Sequence, residues 1–141
     1  MSDEDTVYVL GDISNGDVKH TKDFFEKLNG NKHLIVGNHD EEYYEEYLKE
    51  GIVLSAVHAK YIEDNKRLVF LCHYPVMDWK YGNKTIHHIY GHIHNKTIND
   101  DFLYEEIKQF YKNKLAFNAS VDVTGFEPVT LDELISLKED K

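Results

Sequence analysis

A single cysteine, Cys72, stands in the 141 residues, so no internal disulfide can form, and such sparse cysteine fits a reducing compartment. Only two prolines occur, and no low-complexity or repeated tract, which excludes a proline-rich linker and a repeat architecture. No apolar run approaches the roughly 18 residues of a membrane-spanning helix. Positive charge is also scarce: 16 Lys and Arg face 26 Asp and Glu, a formal net charge of -10. That balance lacks the basic footprint that sequence-independent nucleic-acid binding needs, and an anionic membrane surface would repel it. The start of the chain, Met1-Ser2-Asp3-Glu4-Asp5, is acidic where a secretory signal is basic, so the expected location is cytoplasmic.

What is present suffices for a core. Hydrophobic residues make up 41% of the chain, with seven Phe and ten Tyr, and the length suits one domain over residues 1–141. Nine histidines ask for an explanation.

Short β-branched or aromatic runs predict strands over 6–10, 33–36, 67–72, 87–90 and 115–121, with one or two more within 52–62. Helical spacing predicts helices over 18–28, capped by Asp17, over 41–50, capped by Asp40, and over 102–110 and 131–137. Arg67 to Cys72 is the most hydrophobic run and reads as a strand buried on both faces. Strands and helices alternate in the first half and strands prevail in the second, so the fold class is α/β with mixed sheets.

Four of these strands end in polar punctuation: Gly11-Asp12, Gly37-Asn38-His39-Asp40, His73, and Gly91-His92-Ile93-His94. In layered α/β folds the loops after the carboxyl ends of strands collect at one edge, where ligands bind. Convergence there assembles Asp12, Asn38, His73, His92 and His94 as candidate metal ligands. Carboxylate, amide oxygen and imidazole together suit Zn, Mn, Fe or Ni better than Ca or Mg. The bland reading of each motif is a turn or an ordinary strand-end histidine; their joint appearance at four strand ends favours a site. His20, His33 and His58 read as ordinary surface or strand-end residues. His87 and His88, adjacent on a strand, should face opposite ways in structural roles. Trp79 reads as packing, with the wall of a substrate pocket as the alternative. Tyr43, Tyr44 and Tyr47 read as a helix face, and Asp122 as a weak candidate for the site edge.

Leu10-Gly11-Asp12, Gly37-Asn38-His39-Asp40, His73-Tyr74-Pro75 and Gly91-His92-Ile93-His94 together resemble the motifs of the calcineurin-like metallophosphoesterases, in particular small bacterial and phage members. The resemblance implies an α/β/β/α sandwich and hydrolysis of phosphate mono- or diesters by a metal-bound hydroxide. It implies that Asp12 bridges two ions, that Asn38, His73 and His92 complete the second ion's shell, and that His94 belongs to the first. His39 resembles the general acid that protonates the leaving oxygen, with Asp40 holding its imidazole and raising its pKa.

One motif of that family, Asp-x-His, occurs nowhere in the 141 residues. Asp3 and Asp5 cannot replace it, because seven residues of strand put Asp5 on the order of 23 Å from Asp12. The expectation is therefore a domain that lacks the family's first strand, with one metal site intact and the second incomplete. A second copy of the chain, or a partner chain bearing the missing strand and ligands, would complete it. The expected substrate is a small phosphate ester, since the acidic surface disfavours long nucleic acid. The alternatives are a catalytically impaired pseudoenzyme that binds a metal or nucleotide as an interaction module, and a remnant without a role of its own.

Overall fold

The structure is a computed structural model that describes residues 5–11, 22–23, 25–79, 85–91, 104–120 and 128–139. It is mixed α/β, with two sheets and three helices among the described residues. The strands are β1 (Thr6–Val9), β2 (Asn31–Ile35), β3 (Ser55–Val57), β4 (Ala59–Asp64), β5 (Arg67–Cys72), β6 (His87–Tyr90) and β7 (Ala116–Asn118). The helices are α1 (Tyr44–Lys49), α2 (Tyr104–Tyr111) and α3 (Leu131–Glu139). Two compact units emerge, Met1–Ala59 and Lys60–Lys141. No helix among the described residues is long and apolar enough to cross a membrane.

In the first unit, β1, β2 and β3 form a sheet in that order, all parallel. β2 starts two residues earlier than its apolar run predicts. The polar Asn31 and Lys32 join it because the ladder recruits them: they pair with Thr6 and Val7, and Asn31 N donates to Asp5 O. Phe25, Leu34, Val36, Tyr47, Ile52 and Val53 form the buried cluster. Tyr47 is its fully buried contribution from α1; Tyr44 on the same helix and Tyr43 in the turn before it are half-buried around it, so only Tyr44 and Tyr47 of the expected helix face lie on the helix.

α1 covers only part of the predicted 41–50. The Asp40 carboxylate does not cap it; the carboxylate turns back to the preceding loop, and residues 38–43 remain in turns. The helix stops in a Schellman motif: Ile52 N donates to Tyr47 O and Gly51 N to Leu48 O. Gly51 takes φ +71, the left-handed conformation this motif requires of its terminal residue.

In the second unit, the sheet order is β4-β5-β6-β7, with β6 parallel to both β5 and β7. Asn65 and Lys66, at φ 49 and 68, form the two-residue turn between β4 and β5, the left-handed pair of a type I′ hairpin. The 52–62 segment is thus two strands belonging to different sheets. β7 is shorter than the predicted 115–121; just past it, Asn118 Oδ1 accepts Ser120 N at 2.9 Å. α3 begins at a capping signal, Thr130-x-x-Glu133, in which Glu133 N donates to Thr130 Oγ1 at 3.1 Å. Arg67 ties the start of β5 to α3 through Asp132 at 2.8 Å, and also pairs with Asp64 at 2.9 Å. The core here is aromatic: Trp79, Ile86, Tyr90, Tyr111 and Ala116.

Candidate functional site

Parallel register fixes where the motifs emerge. In the first unit, pairing runs from Thr6 with Asn31 to Val9 with Leu34, so the carboxyl ends of β1 and β2 come level. Leu10-Gly11 leaves one strand and Val36-Gly37 the other, at the same edge. Gly11 takes φ +80, which lets the chain leave β1 sharply just before Asp12. Asp12 itself lies outside the described residues.

The Gly37-Asn38-His39-Asp40 turn is closed from within. Asp40 N donates to Gly37 O at 3.1 Å, and Gly37 N donates to Asp40 Oδ2 at 2.8 Å. Asp40 is fully buried, whereas Asn38 and His39 are exposed. A carboxylate that accepts from a buried N–H is worth about 1.5–3 kcal/mol, enough to hold a four-residue turn. The carbonyl of Asp40 also accepts from Tyr43 N and Tyr44 N, which leads the turn into α1. Asp40 thus fixes the backbone on which His39 stands, a role its motif position did not announce.

In the second unit, three parallel strands again end level. Val69, Phe70 and Leu71 pair with His87, His88 and Ile89, and Tyr90 pairs with Asn118. Beyond the strands the ladder continues: Gly91 N donates to His73 O at 2.9 Å, and Ala119 N to Tyr90 O at 2.8 Å. His73 is 1% exposed, and its ring meets that of Tyr74 edge-on at 5.0 Å. His92 and His94, which follow Gly91, lie outside the described residues, as does Asp122. The edge also carries Asn118 and Ser120, which sequence reasoning passed over. Their signal was present, since Asn118-Ala119-Ser120 follows a strand just as the other polar motifs do.

His88 lies beneath this edge. It is fully buried among the rings of Phe70, Trp79 and Tyr90, at 5.2, 5.1 and 5.5 Å. Nδ1 lies 3.1 Å from Phe70 O and Nε2 accepts from Val76 N at 3.3 Å, which assigns the proton to Nδ1 of a neutral ring. Burial pulls its pKa down to about 4, against the opposing pull of its bond to Phe70 O. His87, next along β6, is only half-buried, so the two histidines do divide between environments. Trp79 is a packing residue: it is 7% exposed, and its Nε1 donates to Ile86 O at 2.7 Å. Tyr111 O–H donates to Val76 O, and burial pushes that hydroxyl well above the ordinary phenol range. His33 and His58 have local partners, Ser55 Oγ at 2.6 Å and Glu41 at 3.0 Å. His20 lies outside the described residues.

The sequence matches no family model. It is 30% identical over 143 aligned residues to the uncharacterized protein MJ1445 of Methanocaldococcus jannaschii, with 99% of this chain and 69% of that protein covered. The chain belongs to the MJ1445 family. Its fold is also that of the protein of unknown function AQ665 from Aquifex aeolicus, whose crystal structure superposes with a TM-score of 0.66 at 24% identity, over 97% of this chain and 78% of that one.

For this member of the MJ1445 family, the described part of the candidate donor set is one exposed amide, Asn38, and one buried imidazole, His73, each just past the carboxyl end of a parallel strand. Among the described residues no three His, Cys, Asp or Glu side chains gather as a metal centre; three of the five expected ligands lie outside them.

Proposed function

We propose that the chain is a metal-dependent phosphoesterase of the calcineurin-like kind, an α/β/β/α sandwich that hydrolyses small phosphate mono- or diesters. The observation that supports this reading most is the strand register: Gly11, Gly37-Asn38, His73 and Gly91 each leave the carboxyl end of a parallel strand, where such a site is built. Asp12, Asn38, His73 and His92 would hold one transition metal, Mn, Fe, Ni or Zn. When bound, the metal would polarise the phosphoryl group and activate water. His39, exposed at the tip of the closed turn, donates a proton to the leaving oxygen. Asp40 holds the turn and, through it, the position of His39.

His94 and a share of Asp12 are too few to hold a second ion tightly. A second copy or a partner chain supplies the remaining ligands, and the isolated chain retains one ion. The experiment is turnover of p-nitrophenyl phosphate and bis(p-nitrophenyl) phosphate with added Mn, alongside metal content by elemental analysis. His39→Ala should lower turnover by about 10²–10⁴-fold at unchanged metal content. Loss of metal together with turnover would sink the assignment of His39, and two tightly held ions in a monomeric chain would sink the single-site reading.

The lack of any Asp-x-His in the 141 residues favours a second reading, a pseudoenzyme that binds a metal or nucleotide as an interaction module. No turnover of either ester with Mn, beside retained metal binding, would decide for it.

A further inference from the structure

A cavity of about 320 Å³ lies in the second unit, at the amino-terminal end of β6 and β7, opposite to the edge that carries the polar motifs. It is lined by His87, Lys112, Lys114, Leu115, Phe117, Ile135 and Lys138. Three of these residues are lysines and none is acidic, in a chain whose net charge is -10. Leu115, Phe117 and Ile135 give the cavity an apolar wall. His87 stacks on Phe117 at 5.8 Å with 22° between the rings.

Two features here are costly as they stand. The Nδ1 of His87 is buried with no hydrogen-bond partner among the described residues, a state that costs about 1–3 kcal/mol. The imidazole also cannot answer the cost by charging, because burial and the nearby Arg67 both lower its pKa. The lysine charges crowd one another as well: burial first and then the charge of Lys114 pull the Lys138 pKa down to about 8. Lys138 is fixed in place, with Nζ donating to Tyr111 O at 2.8 Å, Lys114 O at 2.6 Å and Ala116 O at 2.8 Å. All three of its hydrogens are spent, so it can serve an anion only as a charge. Lys114 spends one hydrogen on Phe110 O, at 2.8 Å, and sits 4.0 Å above the Phe110 ring; among the described residues its other hydrogens have no oxygen acceptor and can serve a ligand. Lys112 is exposed at the rim.

We propose that this cavity binds a small organic anion: a carboxylate or phosphate group held by Lys112 and Lys114, attached to a flat apolar body lying against Phe117, Leu115 and Ile135. The anion offsets the crowding of the ammonium groups, and the body covers the half-exposed Leu115 and Ile135, with the buried Phe117 behind them. Neither half of such a ligand suffices by itself. A bare anion leaves the wall wet, and a neutral ring leaves the charges unanswered. The site is separate from the proposed phosphoesterase centre and does not depend on it.

The test is an NMR titration of the metal-free chain, kept in EDTA, with phenylphosphonate, inorganic phosphate and benzyl alcohol as three separate probes. Phenylphosphonate has no ester bond to hydrolyse, so the proposed esterase cannot consume it. Saturable shifts are expected at the amides of His87, Leu115, Phe117 and Ile135 with phenylphosphonate. Binding of inorganic phosphate or of benzyl alcohol should be at least about tenfold weaker. The Lys112 side chain makes no hydrogen bond among the described residues, and Lys112→Ala together with Lys114→Ala should weaken phenylphosphonate about tenfold or more. Three outcomes would overturn the proposal: shifts confined to residues 37–40 and 73, equal binding of benzyl alcohol, or an undiminished affinity in the folded double variant.

Discussion

The two units reach the same arrangement, polar motifs at the carboxyl ends of parallel strands, by opposite means. The first uses a small aliphatic and tyrosine core and sets its motif with one buried carboxylate, Asp40, which bonds to the backbone three residues behind it. The second uses an aromatic core and buries an imidazole, His88, whose partners lie 18 and 12 residues away in the chain. The difference teaches where each edge is vulnerable. A local lock stabilises one turn and little else, whereas a long-range hub stabilises the packing of every strand and loop that meets it.

The largest effect should come from the hub. His88→Ala removes a fully buried ring from among Phe70, Trp79 and Tyr90 and leaves Phe70 O and Val76 N without their partner. A loss of about 4 kcal/mol is expected in urea unfolding, as for other buried aromatic truncations. A loss under about 1 kcal/mol would show that the comparison is mistaken and that the aromatic cluster closes without it.

Acid should discriminate between the halves next. The folded pKa of His88, about 4, lies below the unfolded value of 6.5, so between these limits the unfolded chain binds more protons. Stability should therefore fall as the pH drops from 6.5 towards 4, by about 3 kcal/mol in all. His88→Leu should flatten that part of the pH profile in chemical denaturation; an unchanged slope would assign it to other groups. The lowered pKa of Lys138, about 8, acts only in alkali and does not overlap this window.

The local lock should matter less. Asp40→Ala leaves Gly37 N–H buried and unpaired, at a cost of about 2 kcal/mol, and should loosen residues 37–40 in amide hydrogen exchange without touching the aromatic core. Protection lost in β6 as well would contradict the division of labour. The smallest change is Gly51→Ala, where an added Cβ meets nothing within 4 Å and only the left-handed φ is at issue. About 1 kcal/mol is expected from thermal melting.

Part of this was legible in the residues because strands and turns announce themselves locally. The run at Arg67 to Cys72 does form β5, but only the face of Val69 and Leu71 is buried; Leu68 on the other face is exposed, so the strand is not buried on both faces as its run implied. The polar motifs Asn38 and His73 do follow strands. The direction of the Asp40 carboxylate was not legible, since the same residue can cap forward or bond backward, and only the packing of the turn decides. Lys138 reads in sequence as the basic end of a short helix. Its three carbonyl partners, 22 to 27 residues away, arise from the docking of α3 on β7 and leave no local trace. The cavity around His87 is hidden for the same reason, being assembled from three separate stretches of chain.

The bond from Gly91 N to His73 O has a consequence for how freely this edge can change. It joins main chain to main chain, so the spacing between the two loops is one sheet rung, roughly 4.8 Å, whatever side chain residue 73 carries. The sheet acts as a ruler that is independent of the tools mounted on it. The side chain at position 73 can therefore be exchanged while the mounting points stay where they are; under the proposed function, such an exchange would retune which ion is preferred.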